Sequence, residues 1–290
     1  MRWKWLALLC LGAAALMAVL VVCWPQREQQ YGLFRWDSAV TREEETQALE
    51  DCIRKTGVTE LYQAFSKDDL ASGQAGFFLR RMDRLGVTVY ALLGEAEWAV
   101  DPDGGSLCKK LEEVAAYNAS QKDANRVAGV MVDVEPYLLD AWEEEGAARD
   151  GLMENYLSGM RVAYSYAREQ GLDFWVCIPT FYDTVCPDIL EGLVSSACDG
   201  VAVMNYDRRD EYGRMEAEVA LAENWGKEIR CIYELQEPGQ HGLEEINTYA
   251  GEGLEALWQS AEELERAFDY SGLGFAYHYY EPLKELLGQE

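Results

Sequence analysis

The sequence has few of the residues that build metal and nucleotide sites. It contains two histidines, His241 and His278, and its eight cysteines form no C-x-x-C pair. Zinc sites usually need cysteine or histidine pairs at short spacing. Neither G-x-G-x-x-G nor G-x-x-x-x-G-K-S/T occurs, so the two common phosphate-binding loops are missing. We therefore expect no metal ion and no cofactor.

Basic side chains are also scarce. The chain has 25 lysines and arginines against 52 aspartates and glutamates, which gives a net charge of −27. An acidic surface repels the phosphate backbone, so nucleic acid is not an expected partner. The same charge disfavours a polyanionic substrate and permits a neutral or cationic one.

Charge is absent from a stretch near the N-terminus, Trp5 to Trp24. Twenty apolar residues in a helix span roughly 30 Å, the thickness of a bilayer core. The stretch is longer than the apolar part of most cleaved signals and lacks a small-x-small site at its end. Residues 1–24 are therefore predicted to be a retained transmembrane anchor, with a cleaved signal as the alternative. Arg2 and Lys4 predict a cytoplasmic N-terminus, which places the rest of this single-pass protein on the extracytoplasmic side of the cell membrane.

After a polar linker at 25–30, the chain alternates short apolar runs with amphipathic helical segments eight times. This rhythm predicts one domain over 31–290, a single (β/α)8 TIM barrel, rather than a doubly wound sheet. The predicted strands are 32–37, 59–65, 87–94, 129–135, 173–181, 200–207, 229–235 and 274–280.

Two acidic residues end the fourth predicted strand, GVMVDVE (129–135). Alternate strand residues share a face. The three valines then form an outer face under the helices, whereas Met131, Asp133 and Glu135 face the barrel interior. Because barrel active sites lie at the carboxyl ends of the strands, two acids on that face predict a catalytic site.

The sixth predicted strand, GVAVMNYD (200–207), supports this site. Its alternation turns Met204 and Tyr206 inward near the same rim, with Asp207 just beyond.

These two motifs resemble those of family-18 glycoside hydrolases, the chitinases and endo-N-acetylglucosaminidases. GVMVDVE resembles the fourth-strand signature D-G-x-D-x-D-x-E, and MNYD resembles the sixth-strand M-x-Y-D. The resemblance implies retaining, substrate-assisted hydrolysis of glycans that contain N-acetylhexosamine. Glu135 would be the general acid, Asp133 would orient the substrate's 2-acetamido group, Tyr206 would bind its carbonyl, and Asp207 would hold the sugar.

The sequence departs from that family's pattern at three places. Ala128 and Met131 stand where the signature has aspartates, and no tryptophan is evident in the eighth strand, where Tyr277, His278 or Tyr279 could substitute. A barrel that binds glycans without cleaving them is therefore an alternative, and a cell-surface scaffold is another.

Other barrel glycosidases fit part of the pattern. Family-25 lysozymes also carry a D-x-E pair on a strand. Val134-Glu135-Pro136 resembles the Asn-Glu-Pro of two-glutamate retaining glycosidases, for which Glu234 on strand seven would be the nucleophile. The remaining predicted substrate-binding residues are Trp36, Tyr137, Met204, Glu234 and Tyr279.

Overall fold

The computed structural model describes residues 29–38, 43–72, 74–144 and 146–289. Within them, eight parallel strands close into a barrel in sequence order, which confirms the predicted TIM barrel. The strands are β1 (Tyr31–Arg35), β2 (Val58–Gln63), β3 (Thr88–Leu93), β4 (Gly129–Val132), β5 (Asp173–Pro179), β6 (Gly200–Met204), β7 (Glu228–Glu234) and β8 (Leu273–His278).

Helices follow the strands and surround the barrel. They are α1 (Glu43–Thr56), α2 (Lys67–Ala71), α3 (Ala75–Arg84), α4 (Gly105–Ser120), α5 (Asp140–Glu143), α6 (Ala147–Glu169), α7 (Tyr182–Val185), α8 (Pro187–Ser196), α9 (Glu216–Trp225), α10 (Gly253–Phe268) and α11 (Tyr280–Gln289). No helix in the described part of the chain is long and apolar enough to cross a bilayer. The anchor predicted over 1–24 lies outside the described residues.

Two apolar clusters follow from the alternation of the strands. Val130, Val132 and Val134 are buried in the outer cluster, between sheet and helices, as the sequence predicts. Met131 is fully buried in the inner cluster, inside the barrel.

Strand β4 is shorter than predicted because the chain turns away from the sheet. The backbone N–H of Asp133 still donates to the carbonyl of Leu93 at 2.8 Å. Pro136 then begins a one-turn 3-10 helix, Pro136–Leu138. Asp133 and Glu135 therefore lie just past the strand, at the rim of the barrel rather than within its wall.

Paired charges fill the opposite end of the barrel. Arg230 is fully buried, and its Nε and Nη2 donate to the two Glu60 carboxylate oxygens at 3.0 and 2.7 Å. The Tyr62 hydroxyl donates to the same carboxylate at 2.7 Å, and the guanidinium lies 4.7 Å from the Trp175 ring centre. This network fills the amino-terminal end of the barrel interior with paired charges and aromatic rings.

Candidate active site

A cavity of about 840 Å³ opens at the carboxyl ends of the strands. Its size suits a ligand of several rings. All nine residues proposed from the sequence line it: Trp36, Asp133, Glu135, Tyr137, Met204, Tyr206, Asp207, Glu234 and Tyr279. The fold thus gathers residues from five strands around one space.

Asp133 has a buried oxygen without a partner. Its Oδ1 is inaccessible to solvent and makes no hydrogen bond. Burial, with a further contribution from the negative charge of Glu135, raises the pKa of Asp133 to about 7, and His278 opposes the shift. A buried polar atom without a partner is costly, and such atoms occur at sites that bind ligands.

Glu135 is held from one side. The Tyr137 hydroxyl donates to Glu135 Oε1 and lies 3.9 Å from the Met204 sulfur. Tyr137 was proposed from the sequence as a sugar contact. It lines the cavity, but its hydroxyl is committed to the carboxylate, and the pKa of Tyr137 is raised by burial and by Glu135.

Tyr206 lies on the wall between Asp133 and Glu234. Burial raises the pKa of its phenol, and both carboxylates add to the effect. Its backbone carbonyl accepts a hydrogen bond from the Asn247 side chain at 2.5 Å, and its ring centre lies 6.0 Å from that of His278. The neutral hydroxyl can therefore donate a hydrogen bond to a ligand.

Glu234, His278 and Trp36 form a connected row across β7, β8 and the end of β1. Glu234 and His278 are register partners, and Nδ1 of the imidazole lies 2.8 Å from Glu234 Oε2. Trp36 Nε1 donates to the other imidazole nitrogen at 3.4 Å, so Nδ1 is the nitrogen that donates to Glu234.

Backbone donors complete the coordination of Glu234. The N–H groups of Leu235 and Gln236 both donate to Oε1 at 2.9 Å. Burial raises the pKa of Glu234, but His278 and these backbone donors outweigh it and hold the pKa below its ordinary value. A carboxylate with both oxygens engaged and 2% of its side chain exposed is suited to positioning the imidazole.

Asp207 is engaged by two arginines. Nε and Nη2 of Arg209 donate to its two oxygens at 2.8 and 2.5 Å, and Arg214 Nη2 donates to Oδ2 at 2.6 Å. The Arg209 side chain, with its hydrogen bond and charge, holds the pKa of Asp207 far below its usual range. The sequence assigned Asp207 to the sugar, whereas the structure shows it as the counter-ion of this arginine pair.

Aromatic rings form the wall that follows β4 and β5. Tyr137 and Phe181 meet at 5.4 Å in a T-shaped contact, and Trp142 packs against both. Phe181 is 36% exposed and Trp36, across the cavity, is 37% exposed. Such half-exposed ring faces suit the C–H faces of sugars.

Several cavity residues escaped the sequence argument. Arg214, Gln236 and Asn247 line the cavity but lie in turns or in a one-turn 3-10 helix, Glu245–Asn247, without a periodic pattern. Gly94 lies so close to the site that a Cβ there would come within 2.7 Å of the Asp133 carbonyl oxygen and 3.4 Å of the Trp36 ring. Gly94 directly follows β3, and its close approach to Asp133 and Trp36 arises only when β1, β3 and β4 assemble.

Known structures share this fold. A chitinase from Bacteroides thetaiotaomicron superposes with a TM-score of 0.54 at 13% identity, over 91% of this chain and 96% of that one. The spore cortex-lytic enzyme SleL of Bacillus megaterium QM B1551 gives 0.52 at 13% identity, over 91% and 74%. An endo-beta-1,4-mannanase from Cellulomonas fimi gives 0.51 at 12% identity, over 87% and 65%.

No protein-family model and no curated protein sequence matches the chain. The resemblance to chitinases that the two motifs predict is confirmed at the level of the fold. Because all three identities are low and a mannanase shares the barrel, the case for a particular chemistry rests on the cavity.

Proposed function

We propose that this protein is a retaining glycoside hydrolase that cleaves glycans containing N-acetylhexosamine with help from the substrate's own 2-acetamido group. The observation that carries the proposal is the unpaired, buried Oδ1 of Asp133 beside Glu135 in the cavity. An acetamido N–H in the cavity can donate a hydrogen bond to the Asp133 carboxyl group, which lines it. A glycan without an acetamido group makes no such bond.

The raised pKa of Asp133 provides the proton that the reaction needs. Below about pH 7 Asp133 holds a proton in the empty cavity. Hydrogen bonding to the charged form favours that form. When an acetamido N–H donates to Asp133, ionised Asp133 is favoured, and the proton is available to Glu135, which delivers it to the glycosidic oxygen.

Ionised Asp133 then stabilises the positive charge that develops as the acetamido oxygen attacks the anomeric carbon. Tyr206, neutral and on the same wall, donates to that oxygen. This route needs no enzyme nucleophile, an exception to the usual two-carboxylate scheme.

The apolar neighbour of Asp133 changes how the proton is held. Met131, below Asp133 on the interior face, is fully buried and cannot share a proton. The raised pKa of Asp133 comes first from burial and then from Glu135. Burial and one acidic neighbour therefore take the place of a second aspartate.

The second candidate is a barrel that binds the same glycans without cleaving them. The engagement of Glu135 by the Tyr137 hydroxyl favours it, because this bond occupies one oxygen of the side chain that would have to protonate the glycosidic oxygen. A two-glutamate mechanism is disfavoured, because both Glu234 oxygens are occupied by His278 and backbone N–H groups.

We further propose that residues 1–24 anchor the barrel to the cell membrane and place it on the extracytoplasmic side. The uncharged run from Trp5 to Trp24 and the basic flank before it support this placement. A protease-protection assay on cells tests it, and a barrel digested only after lysis contradicts it.

A glycan panel tests the function. The full-length protein is incubated with chitooligosaccharides, N-glycans and muropeptides beside the Glu135→Gln variant, and products are read by mass spectrometry. Cleavage by the wild type that the variant loses supports the hydrolase. Binding without cleavage by the wild type, weakened in Tyr206→Phe or Asp133→Ala, supports the binding barrel. Neither cleavage nor binding across the panel refutes both.

A further inference from the structure

We infer that Arg214 forms a carboxylate-binding subsite in the cavity, so that the preferred glycan carries an acidic substituent next to its N-acetylhexosamine. The inference deepens the proposed function and rests on it. It concerns which glycan binds rather than how the bond is cleaved.

Arg209 alone satisfies the Asp207 carboxylate. Its Nε and Nη2 bind the two carboxylate oxygens, and its backbone N–H donates to Oδ1 at 3.1 Å. Arg214 adds a second cation to a charge that is already balanced. The corner formed by these three side chains therefore carries a net charge of +1 within an acidic protein.

Arg214 faces the cavity with donors to spare. It lines the cavity, whereas Arg209 does not. Of its guanidinium donors, Nη2 alone contacts Asp207 among the described residues, at 2.6 Å. Its side chain is 41% exposed against 68% for Arg209. A guanidinium with a free edge binds a planar carboxylate in a two-pronged manner.

The loop that carries Arg214 is held in place. Its backbone N–H donates to the Asp210 carbonyl at 3.2 Å, and the next residue, Met215, is fully buried. Arg208 ties the same loop to the loop after β7 by donating to the Glu245 carbonyl at 2.8 Å and pairing with Glu252 at 3.1 Å. The guanidinium is therefore presented from a fixed base.

The position of the subsite separates it from the catalytic acids. Arg214 follows β6 and lines the cavity, as Asn247 and His241 from the segment after β7 do, whereas Asp133 and Glu135 follow β4. When the N-acetylhexosamine lies against Asp133 and Glu135, a carboxylate on the adjacent sugar would bind the Arg214 guanidinium. The acidic protein as a whole disfavours a dense polyanion, so one or a few carboxylates per ligand fit best.

Two glycans present this chemistry. One carries a lactyl ether carboxylate, as in muramic acid, and the other carries the ring carboxylate of a hexuronic acid. The probes are short oligosaccharides of both kinds and a neutral chitooligosaccharide of equal length. Dissociation constants are measured by titration calorimetry with full-length wild-type protein, so the test does not depend on turnover.

Wild type should bind one of the acidic probes roughly 10- to 100-fold more tightly than the neutral one, the range of a charge-assisted pair. Arg214→Gln should lose that preference and keep its affinity for the neutral probe. Arg126→Gln is the matched control, since it removes the same charge from another arginine–aspartate pair of similar exposure, 44%, outside the cavity, and it should keep the preference. Which acidic probe binds identifies the source of the carboxylate.

Equal affinity of the wild type for acidic and neutral probes overturns the subsite and leaves the proposed function intact. An equal loss in Arg214→Gln and Arg126→Gln also overturns it, because bulk charge then explains the effect. Turnover is followed separately on each probe. If no probe is cleaved and the preference is lost only in Arg214→Gln, the result supports the subsite in a barrel that binds glycans without cleaving them. If no probe binds, both the subsite and the proposed function are refuted.

Discussion

The two ends of this barrel differ in whether their buried charged side chains have partners. At the amino-terminal end, Arg230 and Glu60 satisfy each other, with Tyr62 and Trp175 packed around them. At the carboxyl end, Asp133 keeps a buried oxygen without a partner. The buried charges at the amino-terminal end are paired with each other, whereas the buried Oδ1 of Asp133 at the carboxyl end has no hydrogen-bond partner.

The two ends also contribute differently to the stability of the folded protein. A buried pair with all its bonds made tolerates its own burial but not the loss of one partner. A raised carboxyl pKa is the opposite case, because ionisation of the group destabilises the folded protein. At the amino-terminal end the pKa of Arg230 is also raised, because the hydrogen bonds and charge of Glu60 outweigh the lowering effect of burial, so that shift favours the charged form. At the carboxyl end the shift favours the neutral form of Asp133.

The largest expected effect is the loss of turnover in Glu135→Gln. The variant keeps the shape of the side chain but has no proton to give, so kcat should fall roughly 10²- to 10⁴-fold. Initial rates on the cleaved glycan measure this. Glu113→Gln, at a half-exposed carboxylate that pairs with lysines on the helical surface, is the control and should be unchanged. A Glu135→Gln variant with more than half of the wild-type rate contradicts the assignment.

The amino-terminal end should yield the largest change in stability. Glu60→Gln removes the two-pronged partner of the buried Arg230 and leaves it only the half-exposed Glu228 at 2.7 Å, which should lower the free energy of unfolding by about 3 kcal/mol. Urea denaturation followed by circular dichroism measures it. The double variant Glu60→Gln/Arg230→Met removes both charges and should recover most of the loss. If the single variant is as stable as wild type, the two ends do not differ as argued.

Asp133→Asn should raise the free energy of unfolding, whereas Glu60→Gln lowers it. The carboxyl titrates at about 7 in the folded protein and near 4 when unfolded, so the folded state holds the proton more tightly. Wild-type stability therefore falls as the pH rises from about 4 to about 7, and the asparagine variant escapes this fall. Its advantage should grow across that window, level off above it, and reach about 2 kcal/mol in this partly open site.

Melting temperatures of both proteins from pH 3.5 to pH 8.5 measure that advantage, and activity should be lost at every pH. An advantage that is the same at all pH values would show that asparagine simply packs better.

The smallest expected effect concerns the open wall of the cavity. Trp36→Leu removes a ring face that is 37% exposed, and KM for the glycan should rise about 3- to 10-fold with little change in melting temperature. Trp225→Leu, at a tryptophan 46% exposed on α9 away from the cavity, is the matched control. If both variants change KM equally, the effect comes from the surface and not from the site.

The sequence predicts the barrel and the acid pair because both depend on alternation along single strands. The alternation along β4 is a local pattern, and the structure places each residue on the predicted side. The outer face contains Val130, Val132 and Val134, and the inner face contains Met131 and the two acids. The cavity contains all the residues predicted for the site for the same reason, since they end strands or follow them directly.

The partners of those residues could not be predicted in the same way. The contact between Glu234 and His278 depends on the register of two strands, and the contacts of Asp207 with Arg209 and Arg214 depend on the path of a loop. The Tyr137 hydroxyl reaches Glu135 because Pro136 starts a tight turn. Each of these contacts determines which atoms of a side chain can bind a ligand, and none of them is indicated by a periodic pattern in the sequence.

The most direct measurement compares the turnover of an N-acetylated chitooligosaccharide with that of its fully N-deacetylated counterpart by full-length protein. The account predicts cleavage of the N-acetylated substrate alone, because its acetamido group satisfies Asp133 and attacks the anomeric carbon. Equal cleavage of both substrates, or cleavage of neither, would contradict it.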